Sequence, residues 1–180
     1  MENQNQSNCV LGFAPSRKAV GIALTDGVSL HYYKLKPLKR YNNDTDKLTA
    51  IHQLIISFLN TFRPKAIIAM QLIPQNSTDF NVGQISFLKE LAQSRMLSFH
   101  SLAIKQVKAL LSKESPIKNQ RQLAKVLSDA FPELSPYLSR ESSGVVKDRE
   151  KYYRPIFSAI GLGLSYFKLI ENEKTDKSNP

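Results

Sequence analysis

The chain lacks most of the features from which a function is usually read. It has a single cysteine, Cys9, which cannot close an internal disulfide and brings no second thiolate to a zinc site. The longest uninterrupted apolar run covers residues 66–70, far short of the roughly 20 residues a membrane-spanning helix needs. Residues 1–8 are polar, with neither a basic flank nor an apolar core, so no secretory signal is expected. These absences predict a cytoplasmic protein with no membrane partner. His31, His52 and His100 fall on different elements at no ligand spacing, which argues against a histidine metal site. No Walker loop, nucleophile elbow or paired-cysteine motif occurs, and Gly161-Leu162-Gly163 lies inside a helical pattern, so it is not a dinucleotide loop. Acids are also scarce, 15 against 25 lysines and arginines.

What is present is a chain of 180 residues, 42% hydrophobic and 22% charged, a composition that predicts one globular domain with one core. The expected division is a disordered polar tail over residues 1–8, a domain over 9–170 and a charged tail over 171–180. The net charge of +10 is concentrated. Residues 17–40 hold six basic residues and one acid, Asp26; residues 105–125 hold six and one, Glu114; the rest sums to zero. Two basic segments of this kind are the electrostatic footprint of phosphate-backbone binding.

Apolar runs at residues 9–13 and 19–24, then Asp26-Gly27 and a run at 28–35, predict three adjacent antiparallel strands joined by a tight hairpin. A polar stretch follows, with a helix cap at Asp44 or Thr45. Leu48, Ile51, Leu54, Ile55, Phe58, Leu59 and Phe62 recur at steps of three and four and predict a helix over 47–62, stopped by Arg63-Pro64. Residues 65–73 read as a strand buried on both faces, which implies a parallel crossover. A helix over about 82–96, a strand over 99–103, helices over 104–111 and 117–131, a loop over 132–148 and a terminal helix over 155–170 complete the chain. Small residues Ser158, Ala159, Gly161 and Gly163 allow that last helix to approach the sheet closely. The fold class expected is α/β, with a five-stranded mixed sheet of three antiparallel and two parallel strands flanked by helices.

This order of elements is that of the ribonuclease H-like fold, and over residues 9–168 the chain resembles RuvC-type Holliday junction resolvases, the crossover junction endodeoxyribonucleases of DNA recombination. Val10-Leu11-Gly12-Phe13-Ala14-Pro15 followed by Val20-Gly21-Ile22-Ala23-Leu24 resembles the family's first hairpin, which carries aspartate where Ala14 stands. Residues 66–73 resemble its central strand, with Gln71 in place of glutamate. Gln75-Asn76-Ser77 through Gly83-Gln84 and Lys105-Gln106-Val107-Lys108 resemble the segments that follow. Ser158-Ala159-Ile160-Gly161-Leu162-Gly163-Leu164 resembles the terminal helix, whose two aspartates fall on Pro155 and Ser158.

The resemblance therefore implies a pseudo-nuclease. Phosphodiester hydrolysis by such enzymes needs two divalent ions about 3.5–4 Å apart, and Mg²⁺ needs oxygen ligands whose negative charge offsets the crowded dications. Alanine, glutamine, proline and serine supply no such charge. No cofactor is expected, and Mg²⁺ enters only in the alternative of an active nuclease with acids relocated to Asp26, Asp79, Glu90, Asp148 or Glu150. Lys118, Arg121 and Lys125, spaced i, i+3 and i+7, predict a basic ridge on one helical face, with Lys105 and Lys108 beside it. The resemblance singles out Lys108 and Lys118 for the DNA backbone, and Arg17 and Lys18 lie in the first hairpin. The partner expected is branched or duplex DNA, or structured RNA, bound by a homodimer as the resemblance implies. A structural subunit meeting an acidic protein partner is the remaining alternative.

Overall fold

The computed structural model describes residues 7–112, 115–138 and 147–176. Strands β1 (Ser7–Pro15), β2 (Ala19–Thr25) and β3 (Leu30–Pro37) form an antiparallel meander. Helix α1 (Asp44–Phe62) then carries the chain over to β4 (Pro64–Met70), which lies parallel to β1, and α2 (Asp79–Ser94) leads to β5 (Ser98–Leu102), parallel to β4. The sheet order is β3-β2-β1-β4-β5. Helices α3 (Ile104–Leu111), α4 (Gln120–Ala130) and α5 (Lys147–Asp176) complete the fold. The expected five-stranded mixed sheet, three strands antiparallel and two parallel, is the sheet observed.

Alternation along the strands splits the core into two layers, because successive side chains leave a strand on opposite faces. Leu11 and Phe13 of β1 join Ile67 and Ala69 of β4 against α1 and α2. Val10 and Ala14 join Ala66 and Ile68 against α3, α4 and α5. β1 and β4 are thus covered on both faces, which is why both read as near-continuous apolar runs.

Element ends differ from the sequence expectation where a side-chain bond or a backbone angle decides them. Helix α1 is capped by Asn43, just before the expected Asp44 or Thr45, its side chain accepting from the Asp46 N–H at 2.8 Å. It stops at Arg63, which adopts a left-handed conformation with φ 45° and donates its backbone N–H to the Leu59 carbonyl. Thr78 caps α2 and so starts it at Asp79 instead of residue 82. The β2–β3 hairpin has a four-residue turn in place of the tight one expected: Asp26 accepts from the N–H groups of Val28 and Ser29 at 2.9 and 2.7 Å, and Gly27 has φ 94°. Within the expected loop over 132–148, Pro132–Tyr137 forms a 3-10 turn that buries Leu134, while residues 139–146 lie outside the described residues. Helix α5 begins well before Pro155, whose fixed φ is helical, and runs through the charged segment expected as a tail, where Lys168 pairs with Glu171 at 2.7 Å one turn on. Residues 1–6 and 177–180 lie outside the described residues. No helix among the described residues is long and apolar enough to cross a membrane.

The position of α5 depends on two strand glycines. A Cβ at Gly12 would lie 1.9 Å from the carbonyl oxygen of Ala159, and one at Gly21 would lie 1.9 Å from that of Pro155. Helix backbone therefore rests directly on strand backbone. Gly12→Ala or Gly21→Ala is expected to cost about 3 kcal/mol or more, since neither backbone has a flexible end to yield. Gly83→Ala in α2, whose nearest neighbour would be Leu48 at 3.8 Å, is expected to raise stability by about 0.5–1 kcal/mol. Urea unfolding of the three variants checks this; equal behaviour would contradict the close approach.

Candidate nucleic-acid interface

The carboxyl ends of β1, β4 and β5 share one end of the sheet with the last residues of β3, since Ala19 pairs with Pro37 and Met70 with Leu102. In open α/β sheets this is the end at which ligands bind. All four residues that the family resemblance singles out stand there. Ala14 pairs with Gly21, and Gly21 lies under the carbonyl of Pro155, so Ala14 and Pro155 are neighbours across the strand–helix contact. Ser158 follows one turn later on α5 and is 4% exposed. Gln71 is exposed just beyond β4, its backbone N–H donating to the Leu102 carbonyl at 2.9 Å.

Basic residues occupy both flanks of this end. On the β3 side, Arg17 and Lys18 are exposed in the turn that joins β1 to β2, which Ser16 tightens by donating its hydroxyl to the Ala19 carbonyl at 2.6 Å. The Lys18 carbonyl accepts from the Leu38 N–H at 2.9 Å and so draws Lys39 and Arg40 alongside. On the far side, α3 starts directly after β5, and Lys105 is exposed in its first turn.

No family model and no curated relative matches the sequence. Solved structures do. The RuvC of Thermus thermophilus in complex with a Holliday junction substrate superposes with a TM-score of 0.66 at 15% identity, over 91% of this chain and 95% of that one. Another structure of Thermus thermophilus RuvC gives 0.65 at 16%, over 92% and 96%. The yeast mitochondrial Holliday junction resolvase gives 0.59 at 18%, over 93% and 82%. The chain has the RuvC fold.

On that fold the donor set at the strand ends does not fit a pair of dications. Ala14 offers a methyl group packed into the core at 1% exposure, Pro155 a buried ring, Ser158 one hydroxyl and Gln71 one neutral amide. Among the described residues no group of three or more His, Cys, Asp or Glu side chains is placed to hold a metal ion. Asp26 is at the opposite end of the sheet, where its carboxylate closes the hairpin turn and lies 2.8 Å from His31 Nε2. Asp79 is exposed in the first turn of α2, where its charge suits the helix N-terminus. Glu90 is exposed on the same helix. The side chains of Asp148 and Glu150 lie outside the described residues.

The expected basic ridge is built differently from its reading as one helical face. Lys118 precedes α4 instead of lying on it, because Asn119 caps the helix by accepting from the Gln122 N–H at 2.9 Å. Gln122 in turn accepts from the Lys118 N–H at 2.6 Å. The Lys108 ammonium donates to the Lys118 carbonyl at 2.9 Å, which ties α3 to the start of α4. Arg121 and Lys125, four residues apart on α4, are exposed together. Sequence reasoning missed Lys36, Arg40 and Tyr41. Arg40 donates to the Tyr41 hydroxyl at 2.9 Å, and Lys36 and Arg40 together hold that hydroxyl below the usual phenol range, Lys36 more strongly. Only the basic count of residues 17–40 hinted at them, since their meeting depends on the turn after β3.

The structure makes Asp26 a brace of the hairpin, and its titration reports this. Backbone N–H bonds, first from Ser29 and then from Val28, with His31 adding to them, lower its pKa from 3.8 to about 2. A carboxylate with a depressed folded pKa stabilises fully above its unfolded value, and that stability is lost as pH falls towards the folded value. Asp26→Asn is therefore expected to cost about 1–2 kcal/mol at pH 7, with the difference from wild type shrinking from about pH 4 to about pH 2. Urea titrations at pH 7, 5 and 3 check it; a difference independent of pH would contradict the bracing role.

Proposed function

We propose that the chain is a catalytically silent RuvC-like protein that binds branched or duplex DNA at the basic end of its sheet, without a metal ion. The observation that carries the reading is the chemistry of the strand ends: β1, β4 and α5 converge where a resolvase would need carboxylates, and the side chains there are a methyl, a ring, a hydroxyl and an amide. Lysines and arginines stand on both sides. In a metal nuclease the carboxylates repel phosphate until dications neutralise them; a neutral sheet end with basic flanks attracts phosphate by itself.

The fold supports the choice of partner, because a structure of the same fold is a RuvC bound to a Holliday junction. Contacts from Arg17, Lys18, Lys105, Lys118, Arg121 and Lys125 would go to the phosphodiester backbone, fixing position and orientation without reading bases. Lys108 serves the same surface by holding Lys118. A homodimer, as the family resemblance implies, would present two such surfaces to a branched substrate.

Gel retardation with a four-way junction, duplex, single strand and structured RNA tests the reading. The junction and duplex are expected to be retarded in EDTA as well as in Mg²⁺. Binding is expected to weaken at least about tenfold between 50 and 200 mM salt, and neither Mg²⁺ nor Mn²⁺ should yield a cleavage product. Failure to retard any substrate would overturn the binding function. Cleavage abolished by Asp79→Asn would overturn the catalytic silence and favour relocated acids.

A further inference from the structure

The β3 flank contains an arrangement that the family resemblance does not account for. Leu38, 1% exposed, anchors the turn after β3: its N–H donates to the Lys18 carbonyl, and its own carbonyl accepts from the Tyr41 N–H at 3.2 Å. The pinned turn presents Arg40 and Tyr41 next to Lys36, which pairs with Val20 near the end of β3. The Arg40 guanidinium carbon is 5.1 Å from the Tyr41 ring centroid, and the Lys36 ammonium is 5.6 Å from it. Two cations thus share one aromatic ring and one hydroxyl.

Like charges drawn together in this way repel, and the ring face offsets only part of that cost. Among the described residues no carboxylate pairs with either cation: Asp44 is held by Lys47 at 2.6 Å and Asp46 by Asn43 at 3.0 Å. A tetrahedral anion completes the group. Its oxygens would accept from the guanidinium and the ammonium in charge-assisted bonds, and the Tyr41 hydroxyl, which now accepts from Arg40, still has its own proton to donate.

We infer that Lys36, Arg40 and Tyr41 form a phosphodiester seat for DNA on the β3 side of the strand ends, across the sheet from Lys105. The inference rests on the DNA-binding reading above and adds a second point of attachment to it. With neighbouring strands about 4.8 Å apart, the two edges of a five-stranded sheet lie about 19 Å from each other. Along a duplex axis, which rises about 3.4 Å per base pair, that span corresponds to roughly six base pairs. The two flanks therefore meet different phosphates, and the DNA is held across the neutral strand ends.

The test is the salt dependence of junction binding, measured by fluorescence anisotropy for wild type, Lys36→Gln/Arg40→Gln and Lys105→Gln/Lys118→Gln. Each lost phosphate contact flattens the slope of log K against log salt by about 0.9. The Lys36/Arg40 pair, which holds one phosphate, is expected to flatten it by about 0.9, with each single substitution giving about half of that change, and its effect is expected to add to that of the Lys105/Lys118 pair. The charge-preserving Lys36→Arg/Arg40→Lys protein should keep the wild-type slope. A wild-type slope in Lys36→Gln/Arg40→Gln, while the other pair flattens it, would overturn the seat and leave DNA binding standing. A wild-type protein that binds no DNA would overturn both.

Discussion

The fold depends on backbone lying directly on backbone. Helix α5 rests its carbonyls at Pro155 and Ala159 in the spaces left by Gly21 and Gly12, and no other residue type leaves that space. This approach fixes the rotation of α5, so that Ile156, Phe157, Ala159 and Ile160 enter the core while Pro155 and Ser158 come to the end of β1. It also sets the outer helices. Gly161, on the same helix, would place a Cβ 2.9 Å from Val107 of α3 and 3.8 Å from Leu123 of α4. The basic residues of α3 and α4 therefore take their places from a contact made on the opposite face of α5.

The electrostatic character of this end of the sheet follows from that packing. Ala14 points into the α5 layer and is sealed there with Ala23, Ile156 and Phe157. A carboxylate among these apolar neighbours would cost several kcal/mol unless cations compensated it, a cost that alanine does not incur. Pro155 acts in the same direction: it carries no charge and no backbone donor, and its ring is buried. What remains for a ligand is the field of the two flanks, which is positive.

Much of this was legible in the sequence because it rests on periodicity. The alternation of Leu11 and Phe13 with Val10 and Ala14, and the three- and four-residue steps of Ile51, Ile55, Phe58 and Leu59, are local signals that tertiary structure did not override. The five-stranded sheet followed from the order of those signals, and the RuvC fold was implied by the family resemblance over residues 9–168. Features made by side chains acting over a few residues were not legible. Asn43, Thr78 and Asn119 each moved a helix start, because a cap is decided by one hydrogen bond and several neighbours could have made it. The sequence pattern predicts Pro155 as a first-turn residue, its commonest place in a helix, whereas it lies inside α5, where it leaves one backbone hydrogen bond unmade. The basic ridge was misdrawn for the same reason: once Asn119 caps α4, Lys118 falls outside the helix and only Arg121 and Lys125 share its face. The meeting of Lys36, Arg40 and Tyr41 needed the turn after β3, whose shape comes from the burial of Leu38.

The central claim is that the strand ends hold no metal pair, and the most direct measurement is anomalous diffraction from crystals of the full chain soaked in Mn²⁺. The account predicts no anomalous peak between Ala14, Gln71, Pro155 and Ser158. Two peaks about 3.5–4 Å apart at the strand ends, ligated by aspartate or glutamate, would contradict it.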